Sequence, residues 1–141
     1  MPVAVRPARP NDFAAVLDFW LLATDVASAT DDVAGLRTLH DRDPGALLLA
    51  TDGPQVVGTL IAAWDGWRGS FYRLAVHPDR RRQGVARALV AAGQKRLGQL
   101  GCRRVSLFAV GAHVGAVAFW RAAGFAQDAE DVRFVADLRA D

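Results

Sequence analysis

The feature that most constrains this chain is a double change of hydrophobic period between residues 69 and 110. "GSFYRLAV" (69–76) reads as a strand that ends at His77-Pro78. Val85, Leu89, Val90, Leu97 and Leu100 then keep a helical spacing until "LGC" stops it, and "RRVSLFAV" (103–110) reads as a strand again. A strand, a helix and a strand in that order, from Phe71 to Val110, predict a parallel pair, because parallel strands need a long crossover that is usually helical. The chain is therefore expected to be a mixed α/β domain.

The flanking segments fit around that unit. "VAVR" (Val3–Arg6) alternates like a short strand, and "RPARPND" breaks it before a helix pattern at Phe13, Val16, Leu17 and Trp20, with Asn11 as the expected N-cap. A second helix is expected over Asp32–Asp41, between "TDD" and "DPG". "ALLLATDG" and "QVVGTLIAAWDG" are two strand-like runs around "DGPQ" and predict a hairpin. "GAHVGAVAFWRAAGF" contains a short helix, and "VRFVADL" alternates as a closing strand. The expected order is β, α, α, three strands, then α, β, α, β. With 141 residues, 52% apolar and 23% charged, one globular domain over 1–141 is expected.

Apolar runs such as "ALLLA" (Ala46–Ala50) fall far short of the roughly 20 residues that cross a bilayer, and arginines and prolines interrupt the amino-terminal segment. The expectation is a cytoplasmic protein with no membrane partner. Cys102 is the single cysteine and cannot form an internal disulfide; it is expected to be a packed thiol. Charge is unevenly distributed: Asn11–Asp43 carries seven Asp against Arg37 and Arg42, whereas Arg73–Arg104 carries nine basic residues against Asp79. One region favours a cationic ligand and the other an anionic one, unless both are ordinary wet faces.

The basic region culminates in "HPDRRRQGVARALV" (77–90), three arginines where a helix begins. A helix amino terminus presents unpaired N–H groups and a partial positive charge, so an anion there gains hydrogen bonds and field. Gly84, without a Cβ, admits a phosphate close to the backbone, Ala86 is nearly as small, and arginine adds charge-assisted contacts. The pattern fits a pyrophosphate; a solvated basic turn is the competing reading. Neither the G-x-x-x-x-G-K-[ST] nor the G-x-G-x-x-G motif is present in a suitable context.

"RRQGVA" (Arg81–Ala86), preceded by "LAVHPD", resembles the acyl-coenzyme A signature R/Q-x-x-G-x-G/A of the GNAT superfamily of N-acetyltransferases, which follows a strand ending in Val-x-Pro. "HVGAVAFWRAAGF" (His113–Phe125) resembles the second signature, N-x-x-A-x-x-F-Y-x-x-x-G-F, with Ala116, Phe119, Gly124 and Phe125 in place. "VRPARPNDF" is similar to the usual amino terminus of that family, and "WDGWRGSFYRLAV" and "GCRRVSLFAV" resemble segments of its small bacterial members. The resemblance runs in family order over nearly the whole chain.

The resemblance implies a mostly antiparallel central sheet with a splayed parallel strand pair and about four flanking helices. It implies acetyl-CoA as cofactor, with the pantetheine arm between the splayed strands and on the backbone of Leu74 and Val76. The amides of Arg82, Gln83, Gly84, Val85 and Ala86 would hold the pyrophosphate, with the Arg81 and Arg82 side chains nearby and the thioester directed toward Trp120. The implied reaction is transfer of an acetyl group to a primary amine, of a small molecule or a protein, by direct attack in a ternary complex. The family also admits a homodimer through carboxy-terminal strands.

Two positions depart from the second signature: His113 stands for Asn and Trp120 for Tyr. That tyrosine is the proposed proton donor to the departing thiolate in many members, a role an indole cannot take. A thiol of pKa about 8 to 9 leaves tolerably as thiolate near neutrality. His113 is a candidate proton donor or water holder, against a plain role in capping the helix or packing on the pantetheine. Tyr72, the only tyrosine, is a candidate facing the site or a core residue, and Asp65 is a candidate base acting through water, as are Glu130, Asp25 and Asp31, against solvated loop roles for all four. His40 and His77 lack partner spacing for a metal, and none is expected. Trp20, Trp64, Trp67 and Trp120 are candidate acceptor-pocket residues, with core burial the alternative for Trp20 and Trp120 and exposure expected of Trp67. The competing functions are a non-catalytic acyl-CoA-binding module and, through Arg80–Arg82 and Arg103-Arg104, a nucleic-acid binder, which the acidic front segment opposes.

Overall fold

The computed structural model describes residues 3–24, 28–109 and 114–138. Its helices and strands follow the periods of the sequence. β1 (Ala4–Pro7) leads through a 3-10 turn at Pro10–Asp12 into α1 (Phe13–Ala23) and then α2 (Val33–Arg42). β2 (Leu47–Asp52) and β3 (Gln55–Trp64) form the hairpin, closed at Gly53 with φ 58°. β4 (Gly69–Val76), α3 (Val85–Gln99) and β5 (Val105–Leu107) form the strand–helix–strand unit. The sheet order is β1-β2-β3-β4-β5, antiparallel except for the parallel β4–β5 pair.

The residues fall into two compact units, Met1–Phe108 and Ala109–Asp141. In the first, both faces of the sheet are covered. Phe13, Val16, Phe19 and Trp20 of α1 and Leu36 of α2 pack on Leu47, Leu49, Ile61 and Ala75. On the opposite face α3 lies so close to the sheet that a Cβ on Gly58 would stand 2.8 Å from Val85 Cγ1, and one on Gly93 would stand 2.8 Å from Leu60 Cδ2. Glycine at those two positions is what permits the approach. The second unit contains α4 (Val114–Ala122), stopped by Gly124 at φ 95°. Among the described residues no helix is long and apolar enough to cross a membrane.

Four expectations are corrected. Asn11 lies within the 3-10 turn and does not cap α1; Asp12 precedes the helix and turns its carboxylate back onto the Arg9 N–H at 2.8 Å and the Arg6 guanidinium, a charge-assisted pair a neutral Asn could not make. Leu100 falls after α3 and is half exposed, while the unforeseen Gly93 occupies the buried stripe. Among the described residues the strand expected over 103–110 runs only from Val105 to Leu107, and Val110 lies outside them. Residues 131–138 form no strand, and Val132, Phe134, Val135 and Leu138 are exposed. Alternation supplies a strand with an apolar face, whereas a strand also needs a ladder partner.

Candidate functional site

The two ends of β4 differ. At its start Gly69, Ser70 and Phe71 pair with Val105, Ser106 and Leu107, and the Gly69 N–H donates to the Arg104 carbonyl at 2.9 Å. The described ladder to β5 ends there, while β4 continues against β3 as far as Gly58↔Val76. The parallel pairing thus ends after Phe71 and leaves the rest of that edge of β4 without a described strand partner.

A bulge decides which amides face that edge. Thr59 pairs with Ala75 but Ile61 pairs with Tyr72, two steps on β3 against three on β4, so β4 carries one extra residue. Successive residues of a strand send their backbone groups to opposite edges. Gly69 bonds toward β5 while His77, of the same parity, donates to the Val57 carbonyl of β3 at 2.8 Å, so the parity flips between them. Leu74 and Val76, which stand between residues bonded to β3, therefore direct their N–H and C=O groups to the edge where the described pairing with β5 has ended. The flip occurs at Arg73, whose φ is 54°. For a residue with a side chain, left-handed backbone costs about 1–2 kcal/mol.

Four interactions surround the bulge. The Thr59 hydroxyl donates to the Arg73 carbonyl at 2.8 Å and accepts from the Trp20 indole N–H at 2.9 Å. The Arg73 guanidinium lies 5.2 Å from the Trp20 ring centroid and pairs with the Asp31 carboxylate. Sequence reasoning missed Arg73 and Thr59, since arginine carries no signal for positive φ and a threonine within a strand reads as ordinary β propensity.

Beyond Val76 the chain makes a 3-10 turn at Pro78–Arg80, where the Asp79 N–H donates to His77 Nδ1 at 3.1 Å. Arg80 pairs with Asp52 and is thereby committed to the sheet, while Arg81, Arg82, Gln83 and Gly84 are exposed. Arg82 at φ 65° and Gly84 at φ 82° turn the backbone into α3, whose first helical bond runs from the Ala88 N–H to the Gly84 carbonyl at 3.0 Å. The N–H groups of Val85, Ala86 and Arg87 precede that bond and have no helical acceptor. A Cβ added to Gly84 would meet nothing within 4 Å, so the seat above it is open. Val85 is buried and anchors the helix against the sheet.

The catalytic candidates part company. Tyr72 is 51% exposed, and as the cross-strand partner of Ile61 it lies on the sheet face that carries α1 and α2. Asp65 belongs to the β3–β4 turn, where its Oδ1 accepts the Trp67 and Arg68 N–H groups, each at 2.7 Å. Those bonds, that from Arg68 foremost, lower its pKa and weaken it as a base. His113 lies outside the described residues. Trp120, in the second unit, makes edge contacts with Phe119 and Phe125, each at 5.1 Å between centroids. Trp20 is core and Trp67 is exposed beneath the Arg68 guanidinium. The Cys102 thiol donates to the Arg104 carbonyl at 3.2 Å.

An open β-strand edge that leads into a basic helix amino terminus suits a long ligand with amide groups at one end and phosphates at the other. Known proteins share the sequence and the fold of this chain. An acetyltransferase of Pectobacterium atrosepticum is 34% identical over 103 residues, covering 73% of each chain. Among solved structures, Ard1 from Thermoplasma volcanium superposes with a TM-score of 0.81 at 22% identity, covering 92% of this chain and 86% of its own. An aminoglycoside 6'-N-acetyltransferase from Acinetobacter haemolyticus gives 0.71 at 22% identity, covering 96% and 99%. These two likenesses concern the fold. The model of the acetyltransferase (GNAT) family matches residues 14–125, across both units, and the chain belongs to that family of N-acetyltransferases.

Proposed function

We propose that the chain transfers the acetyl group of acetyl-CoA to a primary amine by direct attack in a ternary complex, and that residues 1–141 form one domain for that purpose. The observation that carries this reading is the continuity of the bulged edge, Leu74 and Val76, with the turn at 82–86. The backbone of Leu74 and Val76 offers hydrogen bonds to the amides of a pantetheine arm. The N–H groups of residues 82–86 and the exposed guanidinium groups of Arg81 and Arg82 offer a seat for its pyrophosphate. Bound acetyl-CoA supplies the acetyl group as a thioester with a thiolate leaving group.

The remaining work falls to the chain. An amine attacks only after losing its proton, from a pKa of about 8 for an α-amino group or about 10.4 for lysine. Tyr72 and His113 are the proposed proton-handling groups; Asp65 is a weakened base, because its own turn stabilises its ionised form. A backbone N–H at this edge of β4 is suited to stabilise an oxyanion. Trp120 cannot protonate the leaving thiolate, so the reading requires departure as thiolate or a proton from Tyr72 or His113.

Calorimetric titration with acetyl-CoA, followed by thiol release over a panel of small amines and amino-terminal peptides, tests the proposal. Micromolar binding with amine-dependent turnover supports it. Binding without turnover on any amine would leave a non-catalytic acyl-CoA module. Absence of binding, with retention on duplex DNA that falls steeply with salt, would give the basic turn to nucleic acid.

A further inference from the structure

We propose that Thr59 is a positioning residue for the acyl donor, acting through the bulge in β4. This inference rests on the acetyl-CoA reading above and adds a residue that touches neither donor nor acceptor. Thr59 is fully buried, and its single hydroxyl is used twice, as donor to the Arg73 carbonyl and as acceptor from the Trp20 indole. An indole N–H can only donate and a carbonyl can only accept, so a hydroxyl standing between them joins the two. The carbonyl it holds belongs to the residue at φ 54°, where the parity of β4 flips. Arg73 would otherwise relax toward ordinary extended backbone, and the strand would then present Arg73 and Ala75 to the same edge in place of Leu74 and Val76.

The same tryptophan secures the other end of Arg73. Its ring lies 5.2 Å from the Arg73 guanidinium, which pairs with Asp31 in the segment between α1 and α2. The bulge is thus gripped at its carbonyl by Thr59 and at its side chain by Trp20 and Asp31. Both grips come from the face opposite α3, so the residues that set the donor edge are contributed by the α1 side of the sheet.

Thr59→Val keeps the shape of the side chain and removes both hydrogen bonds. Acetyl-CoA affinity is expected to fall about tenfold and KM for acetyl-CoA to rise in step, with kcat for the amine changed by less than about threefold. Thr59→Ser restores the hydroxyl and should restore affinity. Arg73→Gly placed in the Thr59→Val background should also restore it, because glycine adopts positive φ without a clamp. In the protein without ligand, nitrogen–proton correlation spectra should show the Leu74 and Val76 amides displaced in Thr59→Val and returned in the double variant. If Thr59→Val fails to fold, Trp20→Phe, which removes the donor N–H together with part of the ring that lies against the Arg73 guanidinium, should weaken affinity about threefold.

Wild-type binding with unchanged affinity in a folded Thr59→Val would overturn the proposal. So would a loss that neither serine nor the glycine variant restores, since Thr59 would then be filling the core and nothing more. Failure of the wild type to bind acetyl-CoA is a separate outcome, which removes the donor reading and this inference with it.

Discussion

β4 is bounded by two turns that look alike in sequence and differ in what they do with their polar groups. The turn before it, residues 65–68, consumes its own donors: one Asp65 oxygen takes two N–H groups, the Asp65 N–H reaches the Arg68 carbonyl at 3.2 Å, and Arg68 lies 4.3 Å over the Trp67 ring. The turn after it, residues 77–84, satisfies its beginning through His77 and Arg80 and then leaves the first N–H groups of α3 beside two exposed arginines. A turn that closes upon itself holds two strands together, whereas one that keeps donors outward is able to recognise a ligand. Composition does not separate them, since both contain Asp, Arg and Gly.

The sharpest way to break this contrast is Gly84→Asp. It places a side chain where the backbone is at φ 82° and a negative charge where a pyrophosphate would sit. Acetyl-CoA binding should weaken by more than about 100-fold, near 3 kcal/mol, in calorimetry. Unchanged affinity in a folded variant would return residues 77–84 to the status of a solvated turn. Next in size, Arg81→Ala and Arg82→Ala should each weaken binding about threefold to tenfold and flatten its dependence on salt. Arg80→Ala should instead lower thermal stability with little effect on binding, because Arg80 pairs with Asp52 across the sheet. Equal effects of all three arginines on affinity would show that charge alone, and not the outward turn, makes the seat.

The outward turn was legible because its chemistry is local: Gly84, the arginines and the helix that follows are contiguous, and the parallel crossover is written in the change from period 2 to 3.6 and back. The closed turn was misleading, since Asp65 reads as an available carboxylate until its two amide bonds are seen. The bulge was not legible at all. It depends on a register slip against Thr59 and on a left-handed Arg73, both imposed by tertiary contacts from Trp20 and Asp31 that are remote in sequence. For the same reason "VRFVADL" alternates without forming a strand: its alternation is a property of the segment, whereas a strand is a property of a pair.

The smallest expected effect is the most informative about the closed turn. Asp65→Ala removes the acceptor of two backbone N–H groups and should lower the melting temperature at neutral pH while kcat/KM stays within about twofold of wild type. The folded pKa of Asp65 lies below the ordinary carboxyl value of 3.8, with the Arg68 N–H as leading cause. A depressed pKa means that the unfolded chain binds the proton more readily, so the contribution of the carboxylate is fully present above about pH 5. It is lost as pH falls through the folded value, and the gap between wild-type and variant melting temperatures should narrow toward acid. A variant that melts like the wild type at every pH but loses about 100-fold in kcat would make Asp65 a base after all, and the two turns would then differ in their chemistry rather than in whether they have any.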